Sequence, residues 1–195
     1  MIDASNSLYA KSRLEWRKWL QQNYDVKKSV WLILSHKNSK TPSVTYEEAV
    51  EEALCFGWID SRANKKNSES YYLFFAKRNP KSYWSKSNRD RAEKLIQQGL
   101  MTQAGLDMID LAKKTGTWNA LDKVQNLQIP DDLANLFEQN KKAFENFLAF
   151  PNSSKQIILY WILEAKRPET RKKRVEETVA LAEKNIRANH YQQAK

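Results

Sequence analysis

Arg78, Lys81, Ser82, Ser85, Lys86 and Arg89 crowd one short stretch of the chain. Ser85 or Ser87 suits the cap of a helix that begins there, because a serine hydroxyl accepts from a free backbone N–H. The amino end of a helix presents unpaired N–H groups and a positive partial charge, so anions are favoured there. Pro80 holds Asn79 in an extended conformation and helps present the lysine. Tyr72 and Trp84 are placed to shield water from such a site and strengthen its attraction. The expected chemistry is the binding of phosphate, sulfate or a carboxylate where Arg78, Lys81, Ser85 and Lys86 meet the helix start. The competing expectation is that Trp84 belongs to the core and the cations are solvated.

Asp60 stands inside Phe56-Gly57-Trp58-Ile59-Asp60-Ser61. A carboxylate in so apolar a run must be hydrogen-bonded or paired, because burying a bare charge is costly. Arg62 and Arg78 are the expected partners. The pair is either a structural ion pair fixing a hairpin or an acid/base or ligand-orienting carboxylate in a cleft, as a small-molecule enzyme using Asp60 and Arg78 would have it. A second basic cluster holds Lys166, Arg167, Arg171, Lys172, Lys173 and Arg174. It could grip phosphates, but Glu169, Glu176 and Glu177 interleave and can form helix pairs.

Other chemistries lack their signatures. The single cysteine, Cys55, rules out a disulfide framework and a cysteine zinc cluster. It falls on an apolar helix and reads as inert core. His36 and His190 are far apart, and Ser61 has no neighbouring histidine, so no hydrolytic triad is expected. Four glycines cannot build a glycine-rich phosphate loop. No metal and no cofactor is expected, and the balance leans away from an enzyme.

These residues need elements to position them. Ser12 and Glu15 fit a capping box opening a helix over 12–22, with Trp16, Trp19 and Leu20 inward. Val30 to Leu34 reads as a buried strand. Thr45 and Glu48 form a second capping box, for a helix ending at Gly57. Residues 58–63 and 71–77 read as an antiparallel hairpin. Helices follow to Gly99, with Ile96 in the apolar stripe, and from Thr102 to Gly116. Residues 118–129 read as a linker, and Pro130 suits the first position of the next helix. Ala143, Phe144, Phe147 and Leu148 line another. Ile157 to Leu163 is apolar all round and reads as fully buried, and Pro168 opens the last helix. The fold class is α+β: a small antiparallel sheet with surrounding helices, then an all-helical C-terminal section. The division is 1–120 and 121–195, within what one compact unit could also hold.

The 195 residues carry a net charge of +10 and are 41% hydrophobic, enough for a core. The excess is local, with ten basic against three acidic residues over 61–100 and ten against five over 153–195. A basic surface attracts nucleic acid, anionic lipid or acidic partners without choosing between them. No recognition-helix or RNP-like pattern is present, so nucleic acid is not favoured over a small phosphate-containing ligand. No secretory h-region and no run near the ~20 residues of a membrane span is visible. The lone thiol fits a reducing compartment, and a cytoplasmic location is expected.

Several stretches resemble one family. They are Ala53-Leu54-Cys55-Phe56-Gly57-Trp58-Ile59-Asp60-Ser61 and Pro80-Lys81-Ser82-Tyr83-Trp84-Ser85. Asn88 and Arg91 through Leu95-Ile96, Gly99 and Met101-Thr102 to Ala104-Gly105-Leu106 continue the pattern, followed by Ala112-Lys113, Gly116 and Trp118, and by Ala165 to Arg171. Together they resemble the YdeI/OmpD-associated, or bacteriocin-protection, family. The family usually has Pro-Arg where this chain has Lys77-Arg78. The resemblance implies a part in tolerance to bacteriocins or antimicrobial peptides, and it brings no catalytic residues with it.

Overall fold

A computed structural model of the chain describes residues 6–190. It divides into two compact units, Met1–Asn119 and Ala120–Lys195.

The first unit is a four-stranded sheet with helices. Its strands are β1 (Ser7–Tyr9), β2 (Ser29–Ser35), β3 (Trp58–Lys65) and β4 (Ser70–Lys77), in the order β1-β2-β4-β3. β2 to β4 and β4 to β3 are antiparallel. β1 pairs parallel to β2, so the sheet is mixed and not purely antiparallel. Three residues beside Trp31, Leu32 and Ile33 are too short a run to read as a strand from sequence. The helices are α1 (Arg13–Asn23), α2 (Tyr46–Cys55), α3 (Lys86–Gln97) and α4 (Gln103–Thr115).

Alternation along β4 sorts the side chains. Leu73 and Phe75 face inward, opposite Leu32 and Val30 of β2, and all four are buried. Tyr72 and Phe74 face the other way. Trp16 of α1 packs on Phe75 at 5.3 Å between ring centres and donates its indole N–H to the Ala49 carbonyl of α2 at 3.0 Å. Trp58 lies against Trp19 and donates to the Tyr24 carbonyl at 3.1 Å. These indoles satisfy their one polar atom while burying a large apolar area.

The caps match the sequence with one variation. At α2, Thr45 and Glu48 exchange both bonds of the capping box. At α1, Ser12 accepts from Glu15 N, but Glu15 reaches back to the N–H of Lys11. Ile96, expected inward, is 40% exposed because α3 turns mainly Ala92 and Leu95 to the core.

Beneath α1 and α2 lies a charged network. Glu52 is buried at 1% exposure and accepts from Arg13 Nε at 2.5 Å and Arg17 Nη1 at 2.6 Å. Arg17 also donates to the Leu100 carbonyl at 2.9 Å. Burial alone would lower both arginine pKa values; the hydrogen bonds and charge of Glu52 outweigh it and raise them.

The second unit is helical. Its elements are α5 (Asp122–Gln125), α6 (Asp131–Gln139), α7 (Lys141–Ala149), α8 (Asn152–Leu163) and α9 (Pro168–Glu183). α5 interrupts the expected linker, and Pro130 stands one residue before α6, at its cap. Leu133, Phe137, Phe147, Ile158, Ile162 and Val175 form the core. The expectation of a fully buried 157–163 is corrected: Ile157 and Tyr160 are each 41% exposed. Leu148, expected inward, is 50% exposed, since the inward face of α7 is carried by Ala143 and Phe147. Among the described residues no helix is long and apolar enough to cross a membrane.

Candidate functional site

Arg78 leaves the end of β4 and is 5% exposed. Its backbone N–H donates to the Gly57 carbonyl at 2.9 Å, which ties it to the turn before β3. Its guanidinium carbon lies 3.9 Å from the centre of the Trp84 ring, and Nη2 donates to the Tyr83 carbonyl at 2.6 Å. Nε and Nη1 are shut off from solvent and have no hydrogen-bond partner among the described residues. Nor does any described carboxylate form an ion pair with this cation. Burial lowers its pKa to about 10, and the field of Asp60 opposes that shift without cancelling it.

Tyr83 and Trp84 lead directly into the amino end of α3. Ser85 caps that helix, accepting from Asn88 N at 3.3 Å, and its first turn contains no acidic residue. The buried guanidinium is therefore held against the segment that opens a helix with free N–H groups. Trp84 is buried and packs on Trp118 at 4.8 Å. It belongs to the core, which was the competing expectation, yet its ring also carries the cation. Lys81 is exposed. Lys86 is exposed too and pairs with Asp90 at 2.8 Å.

Asp60 departs from expectation. It is half-buried, and its partner is the Tyr46 hydroxyl of α2, which donates at 3.1 Å. Neither Arg62 nor Arg78 pairs with it. The cause is an irregularity in β3: Asp60 stands opposite Phe75, but Ala63 stands opposite Leu73, so one extra residue is inserted. Such a bulge reverses the facing of the strand residues beyond it. Residues two apart normally share a face; here Asp60 faces inward and Arg62 outward. Arg62 lies over the Trp31 ring at 5.2 Å and the Phe74 ring at 5.0 Å. Tyr72 joins them, 6.3 Å from Trp31. The residues grouped by sequence are thus split by the sheet. Arg78, Trp84 and Ser85 come together on one side, Arg62 and Tyr72 on the other.

Tyr46, Trp31 and Phe74 were not foreseen in these roles. The period of two along β4 carries the signal that separates Tyr72 from the inward Phe75.

Elsewhere, titratable groups are moved away from reactivity. Burial, then the charge of Glu52, pushes the Cys55 thiol up to about 11. Burial and neighbouring carboxylates also push up the Tyr46 and Tyr71 phenols.

In the second unit the basic cluster is partly engaged. Arg171 makes a two-pronged pair with Asp132, at 2.6 and 2.9 Å, and also reaches the Ile162 carbonyl. Arg174 donates to the Trp161 carbonyl and lies 5.0 Å over that ring. Both cations sit at the carbonyl end of α8, where the helix dipole favours them. Lys166, Arg167 and Lys172 are exposed, and Lys172 approaches Glu176 at 3.9 Å.

Residues 8–108 match the family model of a domain of unknown function, DUF8412, a span of just over half the chain. Residues 126–185 match the model described as bacteriocin-protection, YdeI or OmpD-associated. Of the stretches that resemble that family, Ala165 to Arg171 lies inside the second span; those from Ala53 to Leu106 lie inside the first. No curated protein and no solved structure matches the chain.

Proposed function

The chain belongs to the family of the domain of unknown function DUF8412 and carries a YdeI- or OmpD-associated segment in its second unit, and from that premise we propose that it is a binding protein of the cytoplasm that contributes to tolerance of bacteriocins or antimicrobial peptides. Its first unit takes a small anion, phosphate or a carboxylate, between Arg78 and the amino end of α3. One observation carries this reading: a 5%-exposed guanidinium with no acidic partner and two donor nitrogens, Nε and Nη1, without a hydrogen-bond partner among the described residues. Burying an unpaired cation costs several kcal/mol. Stacking on Trp84 returns ~2 kcal/mol of that. An anion bridging Arg78 and the α3 N–H groups supplies the missing charge.

Titration with inorganic phosphate at low salt, followed by tryptophan fluorescence, tests the reading. A saturable change is expected in the parent protein and its loss in Arg78→Met. Binding should also fade above pH 10, as the guanidinium deprotonates. No saturable change, or equal binding by the variant, removes the site.

The same cation makes a stability prediction. Its folded pKa, about 10, is below its ordinary value, so the penalty is fully present below pH 10 and relieved as pH rises toward the unfolded value. At pH 7 Arg78→Met should be within ~1 kcal/mol of the parent or more stable, because an uncharged side chain replaces a desolvated charge. Thermal melting checks it; a loss of several kcal/mol would mean the guanidinium is already satisfied.

A further inference from the structure

The outward face of the sheet is chemically unlike the inward one. Trp31, Tyr72 and Phe74 lie outside the core cluster and pack on one another, with rings 6.3 and 4.9 Å from Trp31. Trp31 is the buried floor, Tyr72 and Phe74 are half-buried, and Arg62 is exposed above them. The four strands together contain a single acidic residue, Asp60, and it is turned inward onto Tyr46. The outward positions of β2 and β4 are Ser29, Trp31, Ile33 and Ser35, and Ser70, Tyr72, Phe74 and Ala76: no charge opposes an anion there. After the bulge the outward positions of β3 are Arg62 and Asn64, while Lys65 stands opposite the inward Tyr71; the turn beyond carries Lys66 and Glu69, both exposed.

The bulge in β3 is what assembles the arrangement. Without the extra residue Arg62 would share the face of Asp60 and be neutralised by it. With it, the guanidinium stands among rings.

We propose that this face binds single-stranded nucleic acid. Aromatic rings on a sheet offer stacking surfaces to any base, and a guanidinium beside them can stack on a base or hold a phosphate. The Arg62 guanidinium, with no acidic residue at the outward strand positions around it, supplies the complement to a phosphate. A duplex hides its base faces and cannot use the rings.

The test uses the whole protein and a fluorescein-labelled single-stranded oligonucleotide of mixed sequence, with anisotropy read at two salt concentrations. Saturable binding is expected, weaker at higher salt, with quenching of tryptophan emission. Tyr72→Ala and Arg62→Ala should each weaken it about 5- to 150-fold, the range of a stacking contact. Both side chains are outside the core, and melting curves should show both variants folded. Tyr72→Phe keeps the ring and should bind as the parent does. Arg78→Met should also bind as the parent does, which separates this surface from the anion site. The proposal is overturned if no binding occurs at low salt, if duplex of the same length binds equally, or if both ring and guanidinium variants bind unchanged.

Discussion

Glu52→Ala should lower the stability of the first unit by ~2–3 kcal/mol, because Arg17 loses its carboxylate partner and Arg13 keeps only Glu51. Arg13 Nε and Arg17 Nη1 both end on Glu52, whose side chain is 2% exposed. The arginines keep other contacts: Arg13 reaches Glu51 at 2.9 Å, and Arg17 lies 5.4 Å over the Phe56 ring. Both side chains are already partly exposed, at 33% and 28%, so water softens the loss and keeps it below that of a fully buried cation. Glu52→Gln keeps an acceptor oxygen and should fall between the parent and the alanine variant. Urea unfolding followed by tryptophan fluorescence reads the difference, since Trp16 and Trp58 are buried in this unit. An unchanged midpoint for Glu52→Ala would show that the arginines find water or other partners without penalty.

Gly105→Ala is expected to destabilise, against the usual ~1 kcal/mol gain of alanine over glycine inside a helix. A Cβ built at Gly105 meets Met101 Sδ at 2.4 Å and the Cys55 carbonyl oxygen at 2.5 Å. The thioether can move. The carbonyl cannot, because Thr102 holds it with both its N–H, at 3.2 Å, and its hydroxyl, at 2.5 Å. Separating α4 from the end of α2 should cost ~1–3 kcal/mol for alanine, and valine should cost more. Gly99→Ala is the informative control. Gly99 has φ +68° with nothing near its Cβ position, so only backbone strain of ~1–2 kcal/mol applies. Thermal melts of the three variants should therefore rank Gly105→Val lowest. A Gly105→Ala protein more stable than the parent would contradict the close helix contact.

Much of the fold was legible in local chemistry. The Thr45–Glu48 box, the Ser85 cap and the positive φ at Gly57, Gly99 and Gly116 are short-range signals, and each is found where its residues stand. Gly105 was different: its role depends on a backbone 50 positions away, which no local pattern encodes. β1 was hidden for a similar reason, since three residues gain their strand character from Trp31 to Ile33 across the sheet. The amphipathic positions that failed, Ile96, Leu148 and Ile157, are apolar residues at the margin of a helical stripe. There a rotation of a few tens of degrees decides exposure.

The candidate site was legible in its members and not in its grouping. Composition picked out Asp60, Arg62, Tyr72, Arg78 and Trp84 as one set. A single inserted residue in β3 then turned Arg62 away from Asp60, and strand alternation turned Tyr72 away from Phe75. Bulges carry no reliable sequence mark here; Ser61 and Arg62 are unremarkable strand residues. Tyr46 was missed because its partner is fixed by how α2 lies on the hairpin.

The unpartnered donor nitrogens of Arg78 are where the anion is expected to bind. The arginine Nε–H resonance of Arg78, assigned by its loss in Arg78→Met, reports on that directly in a 1H–15N spectrum at pH 7 and low salt. A saturable downfield shift of that proton is expected as inorganic phosphate is added, with the Arg13 resonance unmoved because Glu52 already accepts from its Nε–H. An Arg78 resonance that stays in place while phosphate rises into the millimolar range would remove the site.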